Sequence, residues 1–473
     1  DDFIREPTRR YAASQKDVFH SDHEQYQGRY FVALAPNTDF IVTAYRNNFA
    51  RNWYKLQSIS GRSIATVLGD PLSYSEELHI VKGGDSSLDA LRVRANSRQY
   101  FSSGVQSVLG VRLNTNYVTH SLEFGMRYHQ DEEDRFQHED SFQMSNGQMQ
   151  LTRAGAAGSQ SNRVSQGSSW AFFVEDQLRW GRWALSPGFR YEHIELTRTD
   201  YSKADPDRAA ATRVRRNNLA VFVPGVGVTF DVNGELVLLA GLNKGFGPPG
   251  PGSNEDTEAE ESINYEGGFR WARSSAQVEL VGFYNNYSNL LGRDTLSTTG
   301  EGTGELFNGG KARVIGLEAS IGFNPVAGIG VEFNLPVRMA YTFTDARFQS
   351  NFNSKFKPWS NVRRGDSVPY LPVHNLQGGI TLQKPLWSLD FSTSYVSRMR
   401  VKAGSGKIRR QDAADSRFLV NLTGEYQIAE STRLFLGVQN LTDNRYVASR
   451  RPAGERPGLP RTVMAGIKFD ISK

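Results

Sequence analysis

The segment LRVRANSRQYF carries Arg92, Arg94 and Arg98 just ahead of an apolar stretch, and Arg163 stands a few residues before SSWAFFVED. A guanidinium offers a planar fork of N–H donors that holds a carboxylate through two bonds, so these arginines suit the binding of oxyanions. The bland alternative is charge left in water or set against phosphates. Oxygen-donor cation chemistry is the next to weigh. Asp131, Glu132, Glu133 and Asp134 form one acidic run, and residues 255–261 hold another. Hard divalent cations take such ligands, although a charge run at a loop apex is usually just solvated. The eight histidines are scattered; His138 lies near acidic residues, but without the paired spacing of a metal site. Catalytic signatures are lacking: there is no G-x-S-x-G, no H-E-x-x-H and no well-placed P-loop. GEGTGE at 300–305 is glycine-rich, yet no helix follows to aim a dipole at a phosphate.

Composition limits the scaffold that positions these groups. The chain has 473 residues with 45 Gly, 11% aromatic and only 38% hydrophobic residues, and its mean hydropathy is −0.50. A soluble chain of this length is expected to split into two or three domains, but no seam is visible in the composition. Cysteine is absent, which removes disulfides, thiol nucleophiles and Cys metal sites. A net charge of +5 with Lys and Arg interspersed among Asp and Glu argues against nucleic acid as a partner. No window approaches 18 apolar residues, the longest runs being short ones such as LVLLAGL at 236–242, so a transmembrane helix is excluded. DDFIREPTRRYAASQ has no apolar core of a signal peptide.

Period-two alternation recurs from end to end. Val118, Leu122, Phe124, Met126 and Tyr128 oppose Thr119, Ser121, Glu123, Gly125, Arg127 and His129. Ile263, Tyr265, Phe269 and Trp271 oppose Asn264, Glu266 and Arg270, and near the C-terminus Val463, Ala465, Ile467, Phe469 and Ile471 oppose Met464, Gly466, Lys468 and Asp470. The pattern predicts seventeen strands, at 26–35, 39–50, 101–113, 117–130, 168–180, 183–197, 218–230, 235–246, 262–272, 276–289, 311–323, 329–344, 371–384, 387–399, 417–427, 432–445 and 462–471. Most are about twice the usual ~5–6 residues and match the ~9–11 that a tilted strand needs to cross a bilayer. Short turns (36–38, 114–116, 181–182, 231–234, 273–275, 324–328, 385–386, 428–431) alternate with long polar segments (51–100, 131–167, 198–217, 247–261, 290–310, 345–370, 400–416, 446–461). In an up-and-down meander all the turns then fall on one rim and all the long loops on the other, the asymmetry of outer-membrane barrels. The expected fold is an all-β transmembrane antiparallel barrel, apolar rows toward lipid and charged rows toward a wet lumen. A soluble propeller or one-sided sheet is the lesser alternative. Seventeen is odd, whereas single-chain bacterial barrels have even counts; the expectation is that residues 1–473 form a barrel domain lacking its first strands and whatever precedes them.

Several stretches resemble TonB-dependent outer-membrane receptors, and within them the ferric-citrate receptor branch. NLTDNRYVASRRPAGERPGLPRTVMAGIKF (440–469) is similar to the N-L-x-D-x-x-Y … P-R-x-x-x-x-G-x-x-F ending of that family. YEGGFRW (265–271), FYNNYSNLLG (283–292), FNGGKARVIGLEAS (307–320), PGFRYEHIE (187–195) and FVALAPNTDFIVTAYRNNFARNWYKL (31–56) carry the likeness along the rest of the chain. Such receptors have twenty-two strands around an N-terminal plug preceded by a TonB-contact segment, so five further strands and both of those parts would lie outside this chain. Members usually end on an aromatic residue, whereas Phe469 is followed here by Asp-Ile-Ser-Lys.

The resemblance implies active uptake of a ferric chelate, ferric citrate or a carboxylate-type siderophore, captured by extracellular loops and driven by TonB. Arg94, Arg98 and Arg163 are then the expected ligand contacts, and iron travels within the chelate, so no resident cofactor and no protein metal site are expected. GFGPPGPGSNEDTEAEE (245–261) departs from the citrate receptor, which has a Gln-bearing segment there; Pro248, Pro249 and Pro251 stiffen the loop and remove donors. RVRR (213–216) and SRRP (449–452) are read as contacts to headgroup phosphates or as rim charges. The expected location is the bacterial outer membrane with long loops outside and the C-terminus periplasmic. Expected partners are lipid, lipopolysaccharide and, secondarily, phage or bacteriocin on the loops. The rival readings are a passive porin, TonB-dependent uptake of a non-iron ligand, and an enzyme on a barrel scaffold.

Overall fold

A computed structural model describes residues 5–251, 253, 258–293, 306–356, 358–451 and 454–470. GEGTGE (300–305), positions 255–257 of the second acidic run, and Ile471 to Lys473 lie outside the described residues. One antiparallel sheet of nineteen strands dominates the described chain. Two of its members, Arg62–Ser63 and Gln148–Arg153, are short additions. The other seventeen are β1 (Val18–Ala35), β2 (Thr38–Ile59), β3 (Leu91–Asn114), β4 (Thr119–Ser145), β5 (Ser161–Trp180), β6 (Trp183–Tyr201), β7 (Ala211–Asp231), β8 (Leu236–Gly247), β9 (Glu260–Arg273), β10 (Ala276–Asn289), β11 (Ala312–Phe323), β12 (Val337–Phe348), β13 (His374–Gln383), β14 (Trp387–Val396), β15 (Arg417–Ala429), β16 (Thr432–Gln439) and β17 (Thr462–Phe469). Each pairs with its chain neighbour, β1 with β2 through to β16 with β17. The order is the up-and-down meander that the turns predict. Among the described residues β1 and β17 keep one sheet partner each.

Register turns the alternation into continuous lateral rows. Val42, Ser107, Met126, Phe172, Tyr191 and Phe222 are direct partners across six strands. Leu242, Tyr265, Tyr284 and Ile315 form a second such row, and Ile380, Phe391, Leu422, Val438 and Val463 a third. These side chains are bare: Phe172 is 45% and Phe222 52% exposed. Leaving one such side chain in water costs about 1.5–3 kcal/mol, so a belt of them is stable only against an apolar solvent. The opposite face carries ion pairs, among them Arg270–Glu279 at 2.5 Å and Arg338–Asp390 at 2.8 Å. On β5 the belt runs from Trp180 beside the turn to Trp170, whose ring centroid lies 4.7 Å from that of Tyr128. The ten steps between them rise about 33 Å along the strand, or about 25 Å when tilted by ~40°, the height of an outer-membrane apolar band. Among the described residues no helix is long and apolar enough to cross a membrane.

The strands outrun their predicted ends on the long-loop side. The expected 101–113, 168–180 and 218–230 lie within β3, β5 and β7, and the expected 117–130 falls in β4 from Thr119 onward, so much of 51–100 and 131–167 is strand instead of loop. The tips of β5 and β7 carry little apolar–polar alternation because neither face meets lipid there. Helices α1 (Ile64–Gly69) and α2 (Ser75–Val81) occupy part of the first long connection. Ser63 caps α1, its hydroxyl accepting the Thr66 N–H at 3.1 Å, a contact worth about 1 kcal/mol. The helices bury Val67 and Val81 against Leu56, Ile59, Leu91, Val93, Phe142 and Met144. By parity along β3, Leu91 and Val93 lie on the same face as Val105 and Leu109. The row that meets lipid lower down is therefore covered by the chain itself higher up.

Corrections in the other direction fall near the C-terminus. The expected 329–344 begins only at Val337, because Gly328 and Gly330 take positive φ (79° and 73°) and lengthen the turn to 324–336. β13, β14 and β16 likewise stop short of the predicted 371–384, 387–399 and 432–445.

Candidate functional site

Above the belt, the inner face of β2 to β7 carries a lateral row of cations. Arg51 pairs across the sheet with Arg98, Arg98 with Arg135, Arg135 with Arg163, Arg163 with Asp200, and Asp200 with Arg213. One step toward the belt, Tyr100, Glu133, Ser165, Arg198 and Arg215 are partners in the same way. Arg163 lies seven residues beyond Trp170 on β5, which places it about 15–20 Å past the aromatic edge of the band at ~3.3 Å per residue with strand tilt. Arg98 and Arg163 were expected in or beside outer loops. They sit within strands, and the register brings them together through Arg135.

The row holds seven arginines, Arg51, Arg98, Arg135, Arg163, Arg198, Arg213 and Arg215, against two carboxylates. Glu133 takes Arg98 at 2.9 Å, Arg135 at 2.9 Å and the Tyr100 hydroxyl at 3.1 Å. Asp200 takes Arg198 at 2.6 Å and Arg215 at 3.5 Å. Arg98 and Arg135 are buried, at 9% and 7% exposure. Burial works against the charge on Glu133, but Arg135 and Arg98 outweigh it and hold the carboxyl below its usual range. Burial, then repulsion from Arg135 and Arg198, presses the Arg163 guanidinium down to about 9, which leaves it charged at neutral pH. Like charges held together out of water favour any anion that joins them. The scaffold keeps the cations in place, so an arriving oxyanion need not order them.

Arg94 stands apart from this row. It is four residues above Arg98 on the same face, pairs laterally with Lys55 and Glu139, and binds Glu139 at 2.6 Å. Arg92, Arg94, Glu139, Arg153 and Lys203 line a cleft of about 440 Å³, where Arg92 also donates to the Ser141 hydroxyl at 2.6 Å. Burial lowers the Lys55 ammonium to about 8, with Asp17 opposing and Arg94 adding to the shift. Of the expected arginines, the fold thus unites Arg98 and Arg163 and sets Arg94 one tier higher.

The other candidates resolve differently. Asp131 to Asp134 is no loop apex: it lies inside β4, where Asp134 holds Arg208 through two bonds of 2.6 and 2.8 Å and Glu132 accepts from Gln166 at 2.8 Å. Among the described residues no group of three or more His, Asp or Glu could hold a metal ion. RVRR (213–216) is split by the pleat, with Arg213 and Arg215 on the inner wall. Arg450 of SRRP donates to the Ala413 carbonyl at 2.7 Å and to Glu455 at 2.5 Å. Arg51, Arg135 and Arg198 escaped the sequence reading, and Glu133 and Arg215 entered it only as part of an acidic run and of RVRR, the latter read as headgroup or rim charges. The signal that finds them is parity: continued from Arg127 through DEEDRFQHED, the odd positions give Glu133, Arg135 and Glu139 on one face.

A long-stranded meander with a bare aromatic belt and a cationic inner wall is the construction of an outer-membrane receptor barrel. The family model of the TonB-dependent receptor-like β-barrel matches residues 2–441, and the chain belongs to that family. The metal-pseudopaline receptor CntO of Pseudomonas aeruginosa is 22% identical over 314 residues, 63% of this chain and 40% of that one. The ferric-catecholate import receptor Fiu of E. coli K12 superposes with a TM-score of 0.73 at 16% identity, covering 98% of this chain and 66% of that one. The unliganded ferric citrate transporter FecA gives 0.70 at 16% identity, with 96% and 62% covered. The likeness to these structures is one of fold. The chain spans 40% of the curated relative and just under two thirds of the solved structures.

Proposed function

We propose that this protein takes up an anionic ferric chelate across the outer membrane, with TonB as the energy-coupling partner and the chelate held at the inner wall near the long loops. The observation that carries this reading is the row of arginines across β2 to β7, a fixed comb of guanidinium donors in excess over its carboxylates. Carboxylate-bearing chelates of the ferric-citrate type suit the bidentate fork of these side chains. Family membership supports transport over catalysis. Arg98 and Arg163 form the primary anion contacts, and Arg94 receives a second anionic group of the same ligand. Replacing Arg94, Arg98 and Arg163 together by Ala is expected to weaken binding of ferric citrate or a comparable chelate at least 100-fold, since each charge-assisted bond contributes about 1.5–3 kcal/mol. Heat-modifiable migration of the folded barrel should persist. Unchanged affinity in the folded variant rejects the assignment.

A further inference from the structure

The arginine row is framed by aromatic rungs on the same inner face. Two residues above Arg51 on β2 stands Trp53, whose lateral partner on β1 is Phe19; their centroids lie 6.5 Å apart and edge to face. Two residues below Arg51 stands Phe49, whose lateral partner on β3 is Tyr100; these rings are stacked, 5.8 Å apart at an interplanar angle of 28°. Arg51 and Arg98 thus occupy one rung with aromatic rings on the rungs to either side, each rung offset by about 7 Å along the strand. The two chemistries are joined: Arg51 donates to the Tyr100 hydroxyl at 3.3 Å, with its guanidinium 5.9 Å from the ring centroid. The belt does not explain these rings, because they face inward, past the end of the band.

A carboxylate chelate without rings uses only the middle rung. Aromatic faces and edges attract other aromatic rings, and they offer nothing comparable to a small hydrophilic anion. We infer that the chelate carries its metal-binding oxygens on aromatic rings, so that the anionic oxygens meet Arg51 and Arg98 while the rings lie against Trp53 and Phe19 on one side and Phe49 and Tyr100 on the other. The inference rests on the reading of the arginine row as the anion site and narrows the ligand class within it. Citrate, which has no ring, is then a weaker ligand than an aryl chelate of equal charge.

Ferric tris-catecholate and ferric tris-oxalate share a charge of −3 and three bidentate oxygen pairs, and they differ in the rings. The full chain in detergent is titrated with the chromium(III) analogue of each chelate, which keeps the charge and octahedral shape and exchanges ligands slowly. The expected result is a preference for the catecholate complex of about tenfold, equivalent to about 1.4 kcal/mol. In Trp53→Leu/Phe49→Leu the ratio of the two affinities falls to within about twofold, whereas Arg98→Ala weakens both complexes together and preserves the ratio. Heat-modifiable migration identifies variants that have not folded, and Tyr100→Phe, which keeps the ring, is expected to retain the preference. Equal affinity for the two complexes in the folded wild type overturns the aromatic inference and leaves the anion site standing. A preference that survives in the folded double variant also overturns it. Failure of both complexes to bind removes the anion site itself, and the inference with it.

Discussion

Trp170–Trp180 and Ser161–Ser169 are two parts of one strand, held in one unbroken pleat, and they have different surroundings. In the first part the outward positions Trp170, Phe172 and Val174 are apolar and the inward ones include Glu175. In the second part the outward positions are Asn162, Val164, Gln166 and Ser168, while the inward ones include Arg163 and Ser165. Backbone pairing with β4 runs without a break through both. What changes is the medium on the outer side, so apolar–polar alternation in this chain marks depth in hydrocarbon; the extent of a strand is a separate matter. Where the sheet leaves the belt it is either wet on its outer face or covered by α1 and α2.

That contrast is broken most severely by emptying the covered part. Leu91→Ala opens a cavity in a fully buried site and is expected to cost about 2–5 kcal/mol, confined to the unit around α1 and α2. The check is accelerated protease cleavage within residues 60–90 with barrel migration unchanged; normal resistance would mean that this face is not a packed core. Val174→Arg tests the belt itself. An arginine near the middle of the band costs about 2–4 kcal/mol, so the folded form in detergent or lipid should diminish, whereas Gln166→Arg on the same outward parity should be neutral. Equal behaviour of the two substitutions would erase the proposed edge at Trp170.

A smaller effect sharpens the account of the upper hairpin. Asn146 and Gly147 have φ of 50° and 74° and link β4 to Gln148–Arg153, a turn that needs left-handed backbone at both positions. Gly147→Ala is expected to cost about 1–2 kcal/mol locally, read as faster amide exchange in 141–153 with unchanged exchange in 119–130. The smallest effect is one of pH. The Lys55 ammonium is lowered to about 8 by burial, and an anion bound beside it favours the charged form, so binding takes up a proton above that pH. Chelate affinity should therefore fall as pH rises, by about fivefold between pH 8 and 9 for a single linked proton. Lys55→Arg should reduce that slope to the smaller part contributed by Arg163, whose guanidinium is pressed to about 9, and an unchanged slope would remove Lys55 from the upper tier.

The same contrast explains what could be read from the sequence. All seventeen long strands were legible because each crosses the belt and carries its imprint, as Phe124, Met126 and Tyr128 do on β4. Above the belt many outward positions are polar, as in DEED, which reads as a charge run instead of strand; LRVRA at the start of β3 does alternate, but its apolar face meets α1 and α2 and not lipid. α1 and α2 are too short for a helical period to show. Arg94 and Arg98 could be picked out by side-chain chemistry. Their tiering, and the link to Arg163 through Arg135, depend on register between distant segments, and no local pattern encodes that.

Because Arg51, Arg98, Arg135, Arg163 and Arg213 of the upper rung are each carried by a different strand, its teeth are spaced by the hydrogen-bond ladder at about 4.8 Å. That pitch is a property of peptide geometry and does not drift when loops are lengthened or exchanged. Retuning the barrel for a cargo of another size would proceed by choosing which teeth are charged, as holes are stopped on a flute of fixed bore.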